Sequence, residues 1–356
     1  MVRLLGAIII IVLILMIVSV PVIAEKRALI IGISEYESQP RLRGPGNDIK
    51  LMEDLLKGWY GFKQRDITVL ANSKARRVDI AREFSKLSKA AKGDVIAVYY
   101  SGHGTMAYLN GVIEEAIVPC DGDPEKPATF ITTRELRTWL QDVPAGQVDL
   151  ILDCCYSGGF TKEPRASGEL KCVFPKNVPE DAIEIMEKTL VVTRPGHIVI
   201  SASQTGRDVP DTEFPLADGT HLKVSALAFL LYRNLFTNPS ITPQRVVDSL
   251  KSLMKSWGLD QMPGVGGIAG KRCIFGGPAR GISARTIPLS KINARKIELL
   301  GGAALNLRNG AKVQCLDSHG AVVKTSAIFQ VNWRRAWTDM PRSSLGVTMF
   351  RKVESN

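Results

Sequence analysis

Val148-Asp149-Leu150-Ile151-Leu152-Asp153-Cys154-Cys155-Tyr156-Ser157-Gly158-Gly159 is an apolar run that stops at an acid, two thiols, a hydroxyl and a pair of glycines. A strand inside a parallel sheet is buried on both faces and reads as a continuous apolar run, and ligands gather beyond its carboxyl end. A thiol at that end stands on a rigid element at the rim of a crevice. Two cysteines in such a run can equally be small core residues. The reading therefore turns on whether a base reaches the same edge.

Working outward, further apolar runs suggest strands at 27–33 (RALIIGI), 67–70 (ITVL), 94–100 (DVIAVYY) and 197–201 (HIVIS), with 271–275 (KRCIF) as the last strand of the sheet. A short acidic hairpin or extended piece is expected at 114–120. Helical periodicity begins near Ile49 (Leu51, Met52, Leu55, Leu56), covers 74–91, starts again after Thr132 or Thr133, and recurs at 226–235 and 242–257. Strands alternating with helices indicate an α/β domain with a mostly parallel sheet and helices on both faces. It is expected over 25–277, interrupted by a linker at 160–195 that contains a short helix at 179–190. From about 284 the segments become short, alternating and β-branched, with turns at Asn309-Gly310 and His319-Gly320, which suggests a small β-rich C-terminal domain over 284–356.

The 356 residues are 45% hydrophobic and 23% charged, an ordinary globular balance that excludes a disordered chain. The net charge of +11 is concentrated late: from Gly277 onward there are 13 Lys and Arg against 4 Asp and Glu. Such a tail could attract an anionic membrane or another acidic partner, although a solvated basic surface explains it as well. Trp333-Arg334-Arg335-Ala336-Trp337 interleaves aromatics with bases, as single-strand nucleic-acid binders do, but one short stretch does not establish such a partner. Residues 1–24 open with Arg3, run apolar from Leu4 to Val20 and end Pro21-Val22-Ile23-Ala24. They read as a secretory signal cut after Ala24 or, at 17 apolar residues, as a retained membrane anchor over 4–20. Either reading makes the protein exported or membrane-anchored. Six cysteines without a CxxC pair and only four histidines offer no zinc spacing.

The base is found 52 residues upstream of Cys155, in Ser101-Gly102-His103-Gly104-Thr105 at the end of the third strand. Carboxyl ends of parallel strands share one edge, so imidazole and thiol can approach. An imidazole beside a thiol takes its proton or raises its thiolate fraction. The backbone N–H groups of Gly104 and Cys155 can then serve a developing oxyanion.

Tyr99-Tyr100-Ser101-Gly102-His103-Gly104-Thr105, followed about 50 residues later by Asp153-Cys154-Cys155-Tyr156-Ser157-Gly158, resembles the caspase and metacaspase superfamily of cysteine peptidases. The likeness extends from about Lys26 to Phe275 and includes ALIIGIS, the Leu-Arg-Gly-Pro-Gly-Asn-Asp run at 42–48, IVISAS and Gln261-Met262-Pro263. It implies a caspase-like fold with His103 as general base and acid, Cys155 as nucleophile, and a thioester acyl-enzyme. Cys154 falls where the family often has Ser or Cys and is not expected to react. Tyr156 replaces a His common in metacaspases.

Asp153 stands where animal caspases carry Gln beside an arginine-lined pocket, and a carboxylate there favours Arg or Lys. Asp48, which alone could be a helix N-terminal acid, matches a second pocket acid; Ser101 matches a pocket hydroxyl, and Ser201 is taken as a further substrate contact. The expected partners are therefore peptides or proteins with Arg or Lys at the cut. Self-cleavage is expected at Lys162, Arg165, Lys171 or Lys176 in the linker. No cofactor is expected. Calcium activation is doubtful, because Arg134 and Lys162 stand where acidic ligands would be needed and Glu114, Glu115 and Asp121 alone are a weak set. The alternative is a catalytically silent scaffold on the same fold, which retention of both His103 and Cys155 disfavours.

Overall fold

The computed structural model describes residues 24–155, 171, 194–203, 209–293, 296–317, 321–339 and 349–353. The expected linker helix, Tyr156, Lys162, Arg165 and Lys176 lie outside them.

Six strands form the central sheet. They are β1 (Lys26–Gly32), β2 (Ile67–Ala71), β3 (Val95–Ser101), β7 (Gln147–Asp153), β8 (His197–Ser201) and β11 (Gly264–Gly267), in the spatial order β11-β8-β7-β3-β1-β2. All neighbours pair parallel except β11, which runs antiparallel to β8. Every residue of β3 and β7 is buried, which is why both read as unbroken apolar runs. Helices α1 (Pro45–Gly58), α4 (Ala226–Thr237) and α5 (Pro243–Ser256) pack on one face; α2 (Arg77–Leu87) and α3 (Thr133–Gln141) pack on the other. Successive strand residues point to opposite faces. Accordingly Cys155 joins the first of these cores and Cys154 the second.

The register sets the site. Ser101 lies opposite both Gly32 of β1 and Asp153 of β7, so these strands end level at one carboxyl edge. His103 and Gly104 follow directly. Gly104 opens β4 (Gly104–Leu109), which turns back as β5 (Val112–Ile117) and pairs with the short β6 (Ile131–Thr132). The turn is Asn110-Gly111, both at positive φ, as a two-residue hairpin requires.

The last strand differs from expectation. Residues 271–275 make no strand; Ile274–Gly276 is a 3₁₀ turn with Phe275 at φ 53°. Its amide donates to the buried Asp149 carboxylate (2.7 Å), which Arg272 also binds (2.7 Å), so this backbone is satisfied by a side chain instead of a ladder. The glycine-rich β11 has too few side chains to show a period. β9 (Asp211–Pro215) and β10 (His221–Ser225) form a separate hairpin that leads into α4.

Beyond Thr286, the strands β12 (Thr286–Asn293), β13 (Lys296–Leu300), β14 (Lys312–Leu316), β15 (Val322–Val331), β16 (Arg335–Asp339) and β17 (Met349–Lys352) close into a barrel in the order β12-β13-β16-β15-β14-β17. Its apolar interior is continuous with the core under α1 and α4. Trp59 Nε1 donates to the Thr286 carbonyl (2.8 Å), and Arg334 and Arg335 both bind the fully buried carboxylate of Asp54 on α1. The two arginines of the Trp-Arg-Arg-Ala-Trp stretch are thus turned onto helix α1, and Ala336 is buried, which is not the open stacking platform a nucleic-acid reading needs.

Membrane anchoring is corrected. Among the described residues no helix is long and apolar enough to cross a membrane. The anchor and signal readings fall on residues 1–24, of which 1–23 lie outside the described residues, and the transmembrane, exported and membrane-anchored assignments built on them are withdrawn.

Candidate active site

His103 is buried and fixed from every side. Its amide donates to the Tyr36 hydroxyl (2.7 Å), and its carbonyl accepts from the Tyr100 hydroxyl (2.6 Å) and the Val118 amide (3.0 Å). The Tyr36 ring lies 4.8 Å from the imidazole. Nε2 is 2.8 Å from the Pro40 carbonyl, which can only accept, so Nε2 carries the ring proton. Nδ1 is buried without a hydrogen-bond partner and keeps its lone pair. Burial pushes His103 down to about 4, the Pro40 carbonyl opposes this, and the nearby Lys171 charge adds to it. At neutral pH the ring is an uncharged base.

Cys155 lies two residues beyond Asp153, the last residue of β7, and is buried; the Val209 amide points at its sulfur (2.7 Å). Gly104 must be glycine, since a Cβ there would lie 1.8 Å from the Cys155 carbonyl oxygen. This close approach brings the amides of Gly104 and Cys155 onto one oxygen, the carbonyl of Lys171, at 2.9 and 3.2 Å. The Lys171 amide in turn donates to the Val209 carbonyl (3.1 Å).

The Lys171 side chain fills a fully buried acidic pocket. Its ammonium is 2.8 Å from Ser101 Oγ, 3.0 Å from Asp48 Oδ2, 3.4 Å from Asp153 Oδ1 and 3.9 Å from Asp211 Oδ1. The other oxygen of each acid is held by the fold. Asp48 Oδ1 accepts from the Ser225 amide (2.8 Å), and Asp153 Oδ2 accepts from the Tyr99 (2.7 Å) and Ser225 hydroxyls. Asp211 Oδ2 accepts from the Arg43 (3.0 Å) and Gly44 (2.7 Å) amides. Burial alone would lower the Lys171 pKa, but the charges of Asp153, Asp48 and Asp211 outweigh it and hold the amine protonated. Burial raises Asp153 and Asp211, with the Lys171 charge opposing it in both.

Of the residues singled out from sequence, His103, Gly104, Cys155, Asp48, Ser101 and Asp153 thus gather around one lysine. Ser201 ends β8 and makes none of these contacts with Lys171. Asp211, Val209, Ser225 and Pro40 were not foreseen. Only Ser225 carried a signal, as a hydroxyl just before an apolar helix: its oxygen caps α4 by accepting from the Ala228 amide (3.0 Å). Among the acids weighed for calcium, Glu114 pairs with Arg134, and Asp121 accepts from the Arg77 amide (2.9 Å) and faces Arg76 (3.4 Å).

Residues 25–234 match the profile of the Caspase domain of peptidase family C14, and the chain belongs to that family of cysteine peptidases. Two relatives from Arabidopsis thaliana are Metacaspase-4, 34% identical over 153 residues, and Metacaspase-7, 35% identical over 153 residues. Each alignment covers 39% of this chain, and it covers 35% and 36% of the two relatives, so the chain spans about a third of their length. A solved Geobacter sulfurreducens protein superposes with a TM-score of 0.50 at 17% identity, over 68% of this chain and 94% of its own, a likeness of fold.

Proposed function

We propose that the protein is an endopeptidase that cuts after Lys or Arg, and that its own Lys171–Cys172 bond is one substrate. What carries the reading is the pose of Lys171: its carbonyl oxygen accepts from the Gly104 and Cys155 amides while its ammonium sits among Asp48, Ser101 and Asp153. That is the pose of a substrate residue on the acyl side of a scissile bond.

The steps follow from these atoms. Nδ1 of His103 takes the thiol proton as Sγ of Cys155 attacks the Lys171 carbonyl carbon. The oxygen gains negative charge between two N–H donors already in place, so no reorganisation is needed as the charge develops. His103 returns the proton to the departing Cys172 nitrogen, the C–N bond breaks, and Cys155 holds Lys171 as a thioester. Water, deprotonated by the same ring, hydrolyses the thioester and frees the pocket for other basic peptides. A P1 Asp would bring a fourth carboxylate among three buried ones and is excluded. Incubating the purified chain tests the proposal: the wild type should nick itself, and Cys155→Ala should stay whole. Nicking of both to the same extent would contradict it.

A further inference from the structure

Asp211 does not complete a hydrogen bond to the lysine it faces. An ammonium has three N–H donors. Here two are accepted by Ser101 Oγ (2.8 Å) and Asp48 Oδ2 (3.0 Å), and the third turns to the Asp153 backbone carbonyl (3.5 Å). Asp153 Oδ1, at 3.4 Å, and Asp211 Oδ1, at 3.9 Å and beyond hydrogen-bond reach, receive none. The Asp211 oxygen is buried and has no hydrogen-bond donor. It cannot turn away to find one, because Oδ2 is fixed by the Arg43 and Gly44 amides at the start of α1. The fit there is close: a Cβ on residue 44 would lie 2.3 Å from Asp211 Oδ1. The pocket therefore presents two carboxylate oxygens, one on Asp153 and one on Asp211, that the three protons of lysine do not satisfy.

We infer that Asp211 is a specificity-determining residue that selects arginine over lysine, by accepting an N–H that only a guanidinium can supply. The inference rests on the peptidase reading above. A guanidinium carries five N–H groups in a planar fork that is longer and wider than an ammonium. With part of the fork on Asp48 and Asp153, a remaining N–H is directed at the waiting Asp211 oxygen. Lys171 is, on this count, the weaker of the two residues the pocket accepts: it fills the site but leaves an oxygen of each of two acids without a donor.

The test uses full-length protein and two peptides identical except for Arg or Lys at the cut. Wild type should favour Arg by about tenfold in kcat/KM, the scale of one charge-assisted hydrogen bond. In Asp211→Asn the ratio should fall to about one, the Arg peptide losing about tenfold more than the Lys peptide. Asp211 also anchors the start of α1, but a merely structural loss would slow both peptides alike, and that result would overturn the inference. So would a wild type that prefers Lys. If Asp211→Asn does not fold, Lys171→Arg serves instead: self-cleavage should be about tenfold faster than at Lys171, and an equal or slower rate would overturn the inference. Cleavage of neither peptide by the wild type would overturn the peptidase reading and the inference with it. Cleavage of both with a ratio unaltered by Asp211→Asn would overturn the inference alone.

Discussion

Replacing Lys171 by Met keeps the length of the side chain and removes its charge, and the structure says what that should cost. The ammonium is wholly buried and faces three carboxylates. Removing one partner of a buried ion pair typically costs about 3–5 kcal/mol, because the remaining charges are left uncompensated. Here the penalty falls only on the seated state, since the acids rehydrate when residue 171 leaves the pocket. At about 1.4 kcal/mol per tenfold, even the lower figure shifts the balance toward the open site by about 150-fold. Cys155 is fully buried in the seated state, so alkylation by iodoacetamide reports the shift. Comparing His103→Ala with His103→Ala/Lys171→Met removes self-cleavage from both chains and leaves occupancy of the pocket as the difference. Labelling of Cys155, located by peptide mass, should accelerate about 100-fold or more. A change below about threefold would mean that the lysine does not hold the site closed.

The barrel contact is equally exposed to test. Asp54→Ala leaves two largely buried guanidiniums with only Glu53 (3.6 Å) and Glu298 (3.1 Å) to pair with. Denaturant unfolding should show a loss of about 3 kcal/mol, whereas a loss under about 0.5 would place the cluster with solvent-exposed pairs. For His103 the folded pKa, about 4, lies below the ordinary 6.5, so between those values the unfolded chain binds a proton that the native one refuses. The stability associated with its neutral form is complete above about pH 6.5 and falls toward pH 4, by up to about 3 kcal/mol. Asp153 and Asp211, raised by burial, act in the opposite sense, so the comparison is with His103→Gln: its stability should fall less between pH 7 and 4.5. Equal slopes would contradict the burial of a neutral imidazole.

The parts of this fold that a sequence reveals are those whose side chains repeat with the period of the backbone. β3 and β7 were legible because both of their faces are buried. The strand-end residues His103, Asp153 and Cys155 were legible because a polar group that interrupts an apolar run has few structural reasons to be there. β11 was missed because four residues, three of them glycine, have no period to read. Its place was given to 271–275, whose apolar residues pack around a turn satisfied by Asp149. Asp211 was invisible for a different reason: its role comes from a loop meeting the start of α1, 167 positions away from Gly44 in the chain. In the basic tail, Arg334 and Arg335 form an internal contact between barrel and helix, which a count of charges along the chain does not reveal. Lys171 could be named only as one of four linker bases. What distinguishes it, a carbonyl shared by two amides, belongs to the backbone.

The most direct measurement of the central claim is the mass of the fragments released when the wild-type chain is incubated alone. The account predicts one cut that depends on Cys155 and gives a fragment beginning at Cys172 and its complement ending at Lys171. A first cut at any other bond, or a cut at Lys171 that persists in Cys155→Ala, would contradict it.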